Sequence, residues 1–140
     1  MPYRHRLDVR FRDCDPMGHV NNAVYLTYLE QARFHLWREL WQVDPRQPGE
    51  GIILARAELD FKSPAVYGET LEVRLAVAAV GRSSFTYEYE VVEAGTERLV
   101  LSARTVLVWF DYAAGRSVPI PDPIRAMLGR EAEKDGSPSE

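Results

Sequence analysis

Cysteine is all but missing from this sequence: Cys14 stands alone, so neither an intramolecular disulfide nor a multi-cysteine zinc site can form, which fits a reducing compartment. No stretch approaches the ~18 uninterrupted apolar residues of a membrane-spanning helix. Met1 to Arg12 mixes charged and apolar residues where a secretory leader would carry an apolar run. An excess of basic charge is absent as well. Against 17 Lys and Arg stand 21 Asp and Glu, a formal net charge of −4, without the basic footprint that binding a phosphate backbone requires. These absences describe a cytoplasmic, soluble protein with neither nucleic acid nor membrane among its partners.

What is present fits a single folded domain. The chain has 140 residues, 46% hydrophobic and 27% charged, and a chain of this size buries about two-thirds of its surface on folding. There is no internal repeat. Composition shifts only at the end, so residues 1–130 read as the domain and 131–140, rich in Glu, Lys, Gly, Ser and Pro, as a flexible tail.

The apolar pattern changes period along the chain. Tyr3, His5, Leu7, Val9 and Phe11 alternate with polar residues and predict a strand. Asp, Pro and Gly crowd Arg12 to Val20, a loop, and Asn21 and Asn22 offer helix N-caps for a helix starting near Asn22. From there to Gln42, Tyr25, Leu29, Ala32, Leu36 and Leu40 recur at helical spacing, and Val24, Leu26, Tyr28, Phe34 and Trp37 widen the apolar sector enough to predict a helix covered on several sides. Pro45, Pro48, Gly49 and Gly51 predict a loop. Four strands follow: 52–61, 71–77, 85–91 and 99–110, the middle two joined as a hairpin at Gly81. A short helix, Pro123 to Leu128, closes the pattern. The spacings leave no room for crossover helices, so the fold class is α+β with one antiparallel sheet and one main helix. One helix covers one face only, and the uncovered edges predict a symmetric oligomer.

Chemistry concentrates in Arg12 to Tyr25, which holds two carboxylates, a thiol, an imidazole and two amides just before a helix N-terminus. Residue types alone leave two readings open there. Asp13 and Asp15 could simply shape a turn, or the helix start could hold a developing oxyanion. Cys14, between two carboxylates, is a poor nucleophile and reads as a packing residue. Gly81-Arg82-Ser83-Ser84-Phe85 lacks the second glycine of a serine-nucleophile elbow. Asp13, Asp15 and His19 form a competent metal-ligand set in principle, but no closed site is completed elsewhere, and no metal is expected.

The run from Phe11 to Asn22, FRDCDPMGHVNN, followed by Tyr25, resembles the signature of the 4-hydroxybenzoyl-CoA thioesterase family of hotdog-fold enzymes. Phe61-Lys62-Ser63-Pro64-Ala65, Gly68-Glu69-Thr70-Leu71 and Val80 to Phe85 resemble later segments of that family in the same order. The resemblance implies a hotdog fold, a long central helix wrapped by a five-stranded antiparallel sheet, in a homodimer or homotetramer with active sites at the subunit interface. It implies hydrolysis of an acyl-CoA, with CoA as part of the substrate and no cofactor. Asp15 matches the catalytic carboxylate, as nucleophile or general base, and Asp13 a structural neighbour. The Asn22 backbone N–H matches the donor that polarises the carbonyl. The Gly-His-Val-Asn-Asn form resembles broader acyl-CoA and plant acyl-ACP thioesterases, where the position of His19 is implicated in catalysis. Arg82, with Ser83 and Ser84, matches a region that binds CoA phosphate, and Tyr25 is a candidate for the acyl pocket. An acyl-ACP thioesterase is the alternative enzyme, and a non-catalytic acyl-CoA-binding module the alternative outside enzymes.

Overall fold

In the computed structural model, which describes residues 2–41, 46 and 48–134, the sheet has the strand order β1-β3-β4-β5-β2 with every neighbour antiparallel. The strands are β1 (Tyr3–Asp8), β2 (Glu50–Phe61), β3 (Thr70–Val80), β4 (Ser84–Glu93) and β5 (Leu99–Asp111). The main helix α1 (Val24–Leu40) follows β1, and α2 (Asp122–Lys134) ends the described chain. This is the expected α+β arrangement. A two-residue strand, β6 (Arg116–Ser117), pairs with the end of β5 and makes the sheet six-stranded. It is too short for a periodic signal.

Alternation explains the strands. Phe85, Tyr87, Tyr89 and Val91 of β4 are buried while Glu88 and Glu90 are exposed, so one face of the sheet is apolar and packs inward. Register shifts at Leu54/Arg56 in β2, Val77/Ala79 in β3 and opposite Val91/Val92, where β5 passes from Leu101 to Leu99, each place an irregularity of the kind that bends a sheet around a helix. Into that concavity α1 turns Tyr25, Tyr28, Leu29, Ala32, Leu36 and Trp37. Fully burying one such large apolar side chain contributes roughly 1.5–3 kcal/mol, and this stripe is what fixes α1 on the sheet.

Several boundaries differ from the sequence reading. β1 ends at Asp8, and Phe11 lies in a 3₁₀ turn, Phe11–Asp13, with its ring exposed. β2 begins at Glu50, so Gly51 is a strand residue where a loop was expected; Pro45 and Gln42 lie outside the described residues. The cover expected over α1 is partial within one chain, since Leu26 and Phe34 are exposed. The frayed tail expected from Glu131 is corrected over its first four residues, which continue α2 to Lys134. Ile124, Met127, Leu128 and Glu131 of α2 are buried at helical spacing. The Glu131 carboxylate accepts from the Tyr87 hydroxyl at 2.6 Å and from the Trp41 indole N–H, and Trp37 donates to the same Tyr87 oxygen at 3.1 Å. Residues 135–140 lie outside the described residues.

Candidate active site

The loop between β1 and α1 folds as a hairpin of its own. Cys14 and Val20 bridge in antiparallel fashion and enclose Asp15 to His19. The Asp15 N–H donates to the His19 carbonyl at 2.8 Å, and the Gly18 N–H donates to the Asp15 carbonyl at 2.9 Å. Gly18 has φ +84°, a conformation L side chains rarely adopt, which is why glycine occupies the turn. Across this turn Asp15 Oδ1 accepts the backbone N–H of Met17 at 2.9 Å and of His19 at 3.3 Å. The two bonds orient a half-buried carboxylate, and among the described residues nothing is bonded to Oδ2.

Asp13 anchors the loop. It is 3% exposed, its Oδ2 accepts the Arg10 N–H at 3.0 Å and the Tyr28 hydroxyl at 2.7 Å, and its Oδ1 accepts Arg10 Nη2 at 3.0 Å. Burial alone would raise the Asp13 carboxyl; the bonds from Arg10 and Tyr28 outweigh it and hold its pKa below the ordinary carboxylate value. The same bond, with burial as the larger cause, pushes the Tyr28 phenol well up. The Asp13 carbonyl accepts the Asn21 N–H at 2.9 Å, so the aspartate also sets where α1 begins.

That beginning differs by two residues from the expectation. Of the two expected caps Asn21 takes the role: its Oδ1 accepts the Ala23 N–H and its carbonyl the Val24 N–H, both at 2.9 Å. Asn22 sits exposed on the turn ahead of Val24, with no acceptor on its N–H among the described residues. The segment 63–69 supports the loop from the other side. Val20 N–H donates to the Ala65 carbonyl at 2.9 Å, and His19 bridges Val66. Arg98 pins this segment with Nη1 and Nη2 on the two Glu69 oxygens, both at 3.0 Å, and Nε on Ser63 Oγ at 3.1 Å. The Arg98 guanidinium holds the Glu69 carboxyl below its usual range. Neither residue was identified as a support from sequence; they lie 29 positions apart, and nothing local links them.

The chain thus brings Asp15, His19, Asn22 and Tyr25 to one end of the sheet. His19 engages through its backbone and its side chain is exposed; Tyr25 is buried against Tyr28 and Phe61, with ring centroids 5.9 and 5.7 Å away. Arg82, Ser83 and Ser84 are not in that group. Asp8 pairs with Thr70 at the start of β3, and the Arg82 hairpin follows Val80 at its other end, roughly 33 Å away at 3.3 Å per residue. The hairpin is ordered by backbone contacts instead. The Arg82 carbonyl accepts Ile120 N–H and Arg125 Nη2, each at 2.9 Å, and the Ser83 carbonyl accepts Trp109 N–H at 2.8 Å. Among the described residues no three of His, Cys, Asp and Glu cluster as a metal site, and no helix is long and apolar enough to cross a membrane.

A long helix in a curled antiparallel sheet of this order, with a carboxylate loop at the helix N-terminus, defines a hotdog-fold thioesterase. The chain belongs to the Thioesterase-like superfamily, whose profile matches residues 9–128. It is 31% identical over 93 residues to a putative esterase of Aquifex aeolicus, covering 65% of this chain and 73% of that protein. It is 25% identical to the 1,4-dihydroxy-2-naphthoyl-CoA hydrolase of Synechococcus elongatus, covering 90% and 94% of the two chains. A Thermus thermophilus thioesterase, solved with coenzyme A and Zn, superposes with a TM-score of 0.76 at 36% identity over 89% of this chain and 95% of that one.

Proposed function

We propose that this protein is an acyl-CoA thioesterase related to the 4-hydroxybenzoyl-CoA enzymes, in which Asp15 delivers oxygen to the thioester carbonyl. The observation that carries the reading is the Asp15 carboxylate, with one oxygen held by the Met17 and His19 N–H groups and the other unpartnered among the described residues, in the same loop as the Asn22 N–H, which has no acceptor there and precedes α1. A thiolate leaving group, whose conjugate acid has a pKa near ~8.5, departs without a general acid. Two tasks remain. The carbonyl oxygen needs polarising, which the Asn22 N–H and the positive end of the α1 dipole supply. The carbon needs an oxygen, which Asp15 supplies by direct attack or by taking a proton from water. No cofactor or metal enters this scheme. A coenzyme A carrier is supported by the ligand of the Thermus structure and by the named substrate of the Synechococcus enzyme.

The reading also calls for two chains. β2 is a twelve-residue edge strand with exposed Leu54 and Phe61, and α1 beside it exposes Leu26 and Phe34. A two-fold axis across β2 covers that face and places the far end of one sheet beside the near end of the other. Arg82 of one protomer then approaches the thioester end of its partner, a juxtaposition one chain cannot make.

The test is thiol release from a panel of short, long, branched and aromatic acyl-CoAs by the parent and a folded Asp15→Asn variant. The comparison also corrects for reaction of Cys14 with the thiol reagent. A fall of ~10²-fold or more supports the role of Asp15. Equal rates remove it. No release from any acyl-CoA, with release from the matching acyl-ACP, transfers the reading to the carrier-protein substrate; binding without turnover transfers it to a binding module.

A further inference from the structure

Arg33 is 5% exposed, on the face of α1 that packs against the sheet. A buried guanidinium is costly unless an anion or a full set of acceptors satisfies it. Here its Nη1 donates to the Tyr89 hydroxyl at 3.0 Å, a neutral oxygen that also bonds Thr105 Oγ1, while Nε is buried with no partner. No carboxylate pairs with Arg33 among the described residues. Among the described residues, the charge is therefore uncompensated.

Arg33 also lines a pocket of about 340 Å³ between α1 and β2. Phe34, Trp37, Ile52, Leu54 and Leu107 give that pocket apolar walls, and Phe34 and Leu54 belong to the face that the proposed partner chain covers, so in the dimer the partner closes the pocket's open side. Of the two glutamates that reach it, Glu50 is occupied by the Trp109 indole N–H at 2.7 Å and Glu30 is exposed on the helix surface. Arg46 adds a second cation to the lining. A mostly apolar groove with a desolvated guanidinium at its wall matches a ligand that is hydrocarbon along its length and anionic at its tip.

We propose that this pocket takes the distal carboxylate of a medium-length ω-carboxyacyl group, with Arg33 as its counter-ion. The proposal rests on the thioesterase reading for what brings the acyl group there. Arg33 lies nine residues from Val24, ~14 Å along the axis of α1, so the tip and not the carbonyl end of the acyl group meets it. A carboxylate accepts from the unspent edge of the guanidinium and supplies the charge the protein lacks. A plain alkyl tip of the same length leaves that charge buried and unpaired.

The experiment compares kcat/KM for octanoyl-CoA and for the mono-CoA thioester of octanedioic acid in the parent, Arg33→Lys and Arg33→Met. The parent is expected to favour the carboxylated thioester by about tenfold or more, Lys to keep part of that ratio, and Met to reverse it. Equal use of both thioesters by the parent, or a preference that survives Arg33→Met, overturns the proposal. In parallel, thermal unfolding of the intact protein with free octanedioate or octanoate reads binding without turnover. Stabilisation by octanedioate that requires Arg33, with neither thioester cleaved, keeps the pocket and removes the thioesterase reading. Cleavage of both thioesters without discrimination keeps the enzyme and removes the pocket, and the absence of both binding and discrimination overturns the proposal outright.

Discussion

The Tyr28 hydroxyl donates a 2.7 Å hydrogen bond to Asp13 Oδ2, joining the second turn of α1 to the loop that carries Asp15. Both partners are buried, and the same carboxylate holds the Arg10 side chain and backbone. The relationship separates the two aspartates of the loop by function. Asp13 has every oxygen committed and shapes the loop; Asp15 keeps one oxygen open.

Removing the acceptor exposes the cost of that bond. Asp13→Ala leaves a buried phenol without a partner and is expected to destabilise by about 1–3 kcal/mol, whereas Tyr28→Phe, which leaves Arg10 on the carboxylate, costs about 0.5–1.5 kcal/mol. Urea unfolding midpoints of the two variants check the order, and a reversed order contradicts the assignment.

The same carboxylate predicts a pH dependence. Its pKa in the fold lies below the ordinary 3.8, so on acidification the unfolded chain takes up the proton first. The stability Asp13 contributes is complete above 3.8 and is lost as pH falls through the folded value. The advantage of the parent over Asp13→Asn should be full at neutral pH and narrow in acid; a gap that stays constant down to the acid transition refutes this.

Whether Asp15 attacks the carbonyl or activates water is decided by a single turnover in isotopically labelled water, using enzyme in excess. Label in the Asp15 side chain is the expected mark of an anhydride intermediate. Label confined to the released acid means that water attacked the acyl carbon, and trapping with hydroxylamine, which captures an anhydride at Asp15, then separates the two routes.

The two-chain site predicts that the parent sediments as a dimer or tetramer, and that Leu54→Lys on the edge strand lowers both association and turnover. Arg82→Ala should raise KM for an acyl-CoA by about tenfold, the worth of a charge-assisted hydrogen bond, while leaving a CoA-free thioester unaffected. An unchanged KM for the acyl-CoA rules out the phosphate contact.

Glu131 accepts from Tyr87 and Trp41, so Glu131→Ala strands two buried donors and is expected to lower stability by about 1–3 kcal/mol for each. A frayed segment would tolerate the change. Thermal unfolding distinguishes the two.

Much of this protein was legible before folding, because its signals are local. Alternation in β1, β3 and β4 and the 3.6-residue stripe of α1 follow from which side chains must leave water, and that needs no tertiary knowledge. The loop from Arg12 to Asn22 was legible for a related reason: turn residues, caps and a carboxylate beside a helix start lie within a few positions of one another. What the reading misplaced depends on distant partners. α1 begins at Val24 and not near Asn22, behind an Asn21 turn that the Asp13 carbonyl holds, and Glu131 is helical because Tyr87 and Trp41 meet it across 44 and 90 positions.

By itself, then, the sequence determined the fold class, the order of the main elements and the loop that gathers carboxylates ahead of the helix, since hydrophobic period and turn chemistry act over a few residues. Only the tertiary structure decided that Asp13 is closed and Asp15 open, that Arg82 stands a sheet's length from both, and that Arg33 is buried with no carboxylate partner among the described residues. Each of these is a matter of which side chains meet across the sheet, and burial turns those meetings into energy.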